Sequence, residues 1–131
     1  MKTKNTGLFH HENDVDVTHK INTMELDSWI NHLKYIKKKL TNLINICNEG
    51  LKKKLKDDSA ITRFQKKEVE NEVLLNALIK YANSRSNIIE CEDIQCDMVY
   101  ITEHESYRRC YLYHLDKYNR LKDEFLFKSI R

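Results

Sequence analysis

Cys91, Glu92, Cys96 and His104 bring the metal-ligating side-chain types together in one short stretch. A thiolate, carboxylate and imidazole set of this kind would hold a divalent ion. The spacing argues against the cysteines as a pair. They are separated by five positions, which turns them about 140° apart on a helix instead of onto one face. The compact Cys-x2-Cys spelling that makes a strong zinc signal is absent. His104 and its neighbour Glu103 are the remaining candidate metal ligands, with Glu68 and Glu72 as carboxylates that a bundle would have to bring across. A di-iron bundle needs Glu-x-x-His on two helices. Here Ser106 follows Glu103 at that interval, and Ile101 precedes His104. The competing expectation is a seam histidine bonded to a neighbouring carboxylate in a buried polar cluster with Arg108.

Other chemistry is thinner still. Cys47 and Cys110 fall at apolar positions and read as core residues. Tyr100, Tyr107, Tyr111 and Tyr118 form a stripe at helical spacing, expected to pack with their hydroxyls at the rim. His10, His11 and His19 read as solvated. No catalytic constellation is complete, and no motif asks for a cofactor; none is expected.

Lysines 34, 37, 38, 39, 52, 53 and 54 would serve a nucleic-acid surface. No recognition motif accompanies them, so only a weak, non-specific and salt-sensitive contact through the stretch 34–56 follows. The charge layout points elsewhere. Residues 34–67 hold eleven Lys/Arg against three acids, and residues 68–105 hold nine acids against two bases. Antiparallel packing sets those blocks against each other, which favours self-complementation over nucleic acid.

The elements that must position these residues are helices. With 2 glycines and no prolines among 131 residues, the punctuation of a sheet protein is missing. The clearest segment is Ile21–Leu51. Asn22 and Glu25 spell a capping box, with Ile21 and Leu26 as a staple. Leu26, Leu33, Leu40 and Cys47 recur every seven residues. Trp29, Ile36 and Leu43 make a second line, and Ile30, Ile44 and Leu51 a third. A face this broad needs two partner helices. Gly50 suits the C′ position, with Leu51 folding back on Ile46.

A second helix is expected from the cap residues 57–59 to about Asn83, with Ile61, Phe64, Leu75, Leu78 and Ala82 inward and Val69 and Val73 off that face. Glu68 and Asn71 interrupt its seam, as a surface-leaning pair or a register device. The stretch 83–87 reads as a loop. The third region, 89–130, spans roughly 60 Å. Its one candidate break is at Thr102, where Thr-x-x-Glu has capping-box spelling; no glycine or proline enforces it, and one continuous or bent helix is expected.

The expectation is therefore an all-α, antiparallel bundle of three long helices, or four if the third region splits near Thr102. Residues 1–21 form a flexible arm and 22–131 one domain. No run is long and apolar enough to span a membrane, and no signal-peptide core is present. That points to the cytoplasm and to four free thiols.

Three stretches carry a resemblance. They are Trp29-x-x-x-Leu33 with the lysine-rich turn to Leu40, Arg63-Phe64-Gln65, and Glu103-His104 with Tyr107-Arg108 and Leu121-x-x-Glu124-Phe125. Together, over most of residues 22–128, they resemble small uncharacterised helical proteins of Bacteroidetes-type bacteria. The resemblance implies a small cytosolic helical bundle without an assigned activity. That family has a histidine three residues before the helix-one tryptophan and another before Phe-Gln. Leu26 and Arg63 stand there in this chain.

The function expected on these grounds is a protein-interaction or scaffold module that binds another protein or itself, with enzyme activity left open. Its surface would be the end of the long third helix, at Leu121, Phe125, Phe127 and Ile130. The alternative is a metal-binding bundle using His104 and Glu103. Trp29 is expected in the core against the third helix.

Overall fold

The structure, a computed structural model, describes residues 6–49, 58–91 and 93–129. Among them the chain is helical without a strand. Helix α1 spans Thr6–Glu49, α2 Asp58–Ser84 and α3 Ile94–Ser129, with a short 3-10 helix, Arg85–Glu90, between α2 and α3. No described helix is long and apolar enough to cross a membrane.

Contacts give the directions. Leu33 and Thr41 of α1 meet Asn71 and Glu68 of α2, in reversed order. Phe64, Asn71 and Tyr81 of α2 meet Phe125, His114 and His104 of α3, again reversed. His19, Glu25 and Trp29 meet Asp97, His104 and Tyr111 in the same order. Each helix therefore runs antiparallel to the next, and α1 lies parallel to α3.

The seven-residue line on α1 is the centre of the core: Leu26, Leu33, Leu40 and Cys47 are all buried. Ile36, Leu43 and Ile44 flank it. Fully burying an aliphatic side chain contributes about 1.5–3 kcal/mol. Leu51, Gly50 and the lysines at 52–54 lie outside the described residues. From the facing helices come Phe64, Leu75, Leu78, Tyr111, Tyr118 and Phe125.

Three expectations are corrected. Asn22 does not start a helix, and the arm described from Thr6 onward is helical. Thr18 and Thr23 donate back to the carbonyls of Asp14 and His19, so these hydroxyls bond within the helix instead of ending it. His19 and Asn22 are buried, anchoring this stretch to its neighbours. Helix α3 runs unbroken through Thr102, as the three-helix expectation has it. The break lies upstream, where the Asp93 carboxylate accepts the Cys96 N–H as an N-cap.

Leu121 and Phe125 are not an unpaired overhang. Phe125 is buried edge-to-face on Phe64, ring centroids 5.2 Å apart, and Leu121 packs against the same core. Helix α2 begins early enough to reach them. Of that expected surface Phe127 is exposed, and Ile130 lies outside the described residues. Finally, Cys110 is exposed, because Tyr111 takes the seam position beside it.

Candidate functional site

Three pairs at helical i, i+4 spacing converge near the α2–α3 connection. They are Glu25 and Trp29 on α1, Tyr81 in the last turn of α2 with Arg85 at the start of the 3-10 helix, and His104 and Arg108 on α3. Side chains four apart share a helix face. Three such faces meeting make a polar cluster inside an apolar bundle.

His104 is at its centre and fully buried. Its Nδ1 is 2.7 Å from the Tyr81 hydroxyl, and its Nε2 is 2.9 Å from Glu25 Oε1. Trp29 stacks on the imidazole face at 4.8 Å. Arg108 grips Glu25 with Nε at 3.0 Å from Oε2 and with Nη2 on Oε1. It also donates to Glu105. On the other side Arg85 donates from Nη1 to the Tyr81 hydroxyl at 2.8 Å.

The electrostatics follow from these contacts. Arg108, and more weakly His104, hold the Glu25 carboxyl below its ordinary value against the opposing effect of burial. Burial pushes His104 down despite Glu25, so the ring is neutral near pH 7. Burial pushes the Tyr81 phenol up. The two carboxylates raise the Arg108 guanidinium.

Both His104 nitrogens are thus occupied, and one ring face is covered. The cluster is a polar clasp between three helices and has no open coordination position. The carboxylate on His104 is Glu25, not Glu103. Glu103 is exposed, because consecutive helix residues point about 100° apart. Glu68 and Glu72 are engaged elsewhere, with Thr41 and Lys37. Among the described residues no group of three or more His, Cys, Asp and Glu is arranged to hold a metal ion.

Cys91 and Cys96 are joined by a disulfide, which corrects the expectation of four free thiols. Their separation around an ideal helix does not apply, since Cys91 lies between the 3-10 helix and α3.

Two further polar bridges cross the core. Asn71, 1% exposed, donates to the Leu33 carbonyl at 2.9 Å, and its Oδ1 lies 2.8 Å from His114 Nε2. It is a buried register device and not a surface-leaning residue. His32 Nδ1 lies 2.6 Å from the Tyr111 hydroxyl. His19 is not solvated either: it is buried with Nε2 2.9 Å from Asp97 Oδ1.

No protein-family model, curated protein or solved structure matches this chain.

Sequence reasoning found His104, Arg108 and Trp29 but missed their partners. Glu25 reads as part of a capping box, Arg85 falls in the stretch 83–87 read as a loop, and Tyr81 carries no mark of its own in the second helix. The available signal was the repeated i, i+4 pairing of aromatic and charged residues on all three helices.

Proposed function

We propose that this chain is a non-catalytic interaction module that associates with a second copy of itself through the N-terminal part of α1. The observation that carries this reading is an apolar stripe on that helix. Val17, Ile21 and Met24 are 50%, 56% and 71% exposed at i, i+4, i+7 spacing. Spacing of four then three is that of a helix-pairing seam.

The stripe begins at Val17, where α1 outruns its neighbours, and continues through Ile21 and Met24 on the outer face of the packed part of the helix. His19 already meets Arg85, just past the end of α2. Residues 6–18 continue the helix for roughly 20 Å beyond that contact. A short helical segment without packing is marginal in water. A stripe on a single helix complements its own copy about a two-fold axis, the commonest symmetry of protein dimers.

Sedimentation equilibrium at about 100 µM, a concentration suited to weak pairing, tests this reading. The expected result is a reversible dimer that Ile21→Glu converts to a monomer with an unchanged melting temperature. A monomer throughout the concentration range counts against self-association.

A further inference from the structure

A groove of ≈ 410 Å³ opens beside the clasp. Its walls are His19, Lys20, Thr23 and Met24 of α1 and Arg85 and Ile88 of the 3-10 helix. That volume falls in the range of small-molecule sites. We propose that this groove binds a carboxylate carried on an apolar body, with Arg85 and Lys20 receiving the carboxylate and Met24 and Ile88 the apolar part.

The argument starts from Arg85. It is 7% exposed, and a guanidinium stays charged under all ordinary conditions. A buried cation is normally paired with an anion, because desolvating it costs several kcal/mol. Arg85 is held only by neutral oxygens. Nη2 donates to the His19 carbonyl at 2.8 Å and to Thr23 Oγ1 at 3.0 Å, Nε to Thr23 Oγ1 at 3.2 Å, and Nη1 to the Tyr81 hydroxyl. Among the described residues no carboxylate pairs with it. Its route to Glu25 runs through Tyr81 and then His104.

The donor inventory points the same way. A guanidinium carries five N–H groups. These four bonds leave one N–H on Nη1 without an acceptor among the described residues. Lys20 stands exposed at the rim, with no carboxylate partner among the described residues.

One open guanidinium N–H and one ammonium match the two oxygens of a carboxylate. A phosphate dianion would ask for more donors than the site offers. The apolar walls add affinity only for a ligand with a hydrocarbon body.

Calorimetric titration of the full chain with octanoate tests the assignment, with octanol and inorganic phosphate as comparison probes. Octanoate is expected to saturate one site, with octanol and phosphate each weaker by about tenfold or more, as a charge-assisted contact predicts. Lys20→Gln, at an exposed position, is expected to weaken octanoate about fivefold with an unchanged melting temperature. Arg85→Lys retains a charge but loses the fork, and should weaken it further. A folded Arg85→Lys or Lys20→Gln that binds octanoate like the parent overturns the proposal. So does equal binding of octanol or phosphate, or no saturation by octanoate. Should Arg85→Lys fail to fold, Lys20→Gln and the comparison probes still decide.

Discussion

The Tyr81 hydroxyl lies 2.7 Å from His104 Nδ1, and together with the Glu25 carboxylate on Nε2 this bond fixes which imidazole nitrogen carries the proton. Arg85 has no acceptor capacity, so the Tyr81 oxygen must accept from its Nη1. On the other side the Glu25 carboxylate can only accept, so the neutral ring has its hydrogen on Nε2, and the phenolic proton of Tyr81 goes to the remaining Nδ1 lone pair. The opposite tautomer would set a lone pair against that carboxylate. The chain Arg85, Tyr81, His104, Glu25, Arg108 is thus a directed sequence of hydrogen bonds spanning all three helices.

Tyr81→Phe removes the second link of that sequence. It leaves a buried guanidinium N–H and a buried imidazole nitrogen without partners, costing about 1–3 kcal/mol for such groups. Chemical denaturation should show a loss of that size. The nitrogen resonances of His104 should shift towards a mixture of tautomers. A variant with unchanged stability and tautomer would show that Tyr81 does not direct the ring.

Acid should weaken the fold before ordinary carboxylate titration begins. Burial pushes His114 down to about 4, with Lys67 adding to it, and also holds His104 below its ordinary value. In the unfolded chain both imidazoles titrate near ~6.5. Between the folded and unfolded values the unfolded state binds more protons, so stability rises with pH across that window. This contribution is complete above about pH 6.5 and is lost as pH falls; for His114 it is on the order of 3 kcal/mol by about pH 4. Glu25 acts with the same sign at lower pH, because its folded value is depressed by Arg108. Urea midpoints should drop between about pH 7 and pH 4.5, and His114→Gln should flatten the slope. A midpoint constant over that range would contradict the buried neutral histidines.

Asn71 and His114 should behave as a pair. Asn71→Leu strips His114 Nε2 of its partner, which costs about 1–3 kcal/mol for a buried group left unsatisfied. Replacing both partners with apolar residues of similar size can be close to neutral. Asn71→Leu combined with His114→Leu is therefore expected to recover most of the stability lost by Asn71→Leu alone. Strictly additive losses in the double-mutant cycle would mean that the 2.8 Å contact carries no coupling.

The Cys91–Cys96 disulfide closes a short ring at the start of α3. For a ring of this size the chain-entropy contribution is about 2 kcal/mol. Asp97, next to Cys96, bonds His19, so the bridge also steadies that contact. Reduction, or Cys96→Ser, should lower the melting temperature and move the His19 resonances while leaving those of His114 in place. Equal movement of both would mean that the bridge acts on the whole bundle.

How far the sequence was legible depended on how local each signal was. The line Leu26, Leu33, Leu40, Cys47 repeats within one helix, and its burial follows from that period alone. The start of α1 was misread because Asn22 and Glu25 have capping spelling. Their side chains instead serve the tertiary structure: Asn22 is buried and Glu25 reaches α3. The partners of His104 come from residues 25 and 81; the i, i+4 pairs mark each face, but nothing local says which faces meet. The disulfide was equally hidden, since a helical reading of residues 91–96 turns the two thiols away from each other. The overhang assigned to Phe125 failed on one fact, that Phe64 stands opposite it.

Trp29 ties the apolar core to the clasp. It is 5% exposed, stacks on His104 at 4.8 Å and on Tyr111 at 5.2 Å, and has the Arg108 guanidinium 6.0 Å from its ring. Truncating a buried aromatic typically costs about 3–5 kcal/mol, and a whole domain has only about 5–15 kcal/mol of stability. Trp29→Ala also uncovers one face of a buried neutral imidazole, which lets water reach His104 and favours its protonation. The variant should therefore melt far below the parent, and the His104 resonances should titrate at higher pH. Trp29→Phe keeps a stacking ring and should fall between the two. In the parent, emission should be blue-shifted and resist quenching until the fold melts. Red-shifted, freely quenched emission with an unchanged melt in Trp29→Ala would instead place this ring at a surface, as the anchor of an interface.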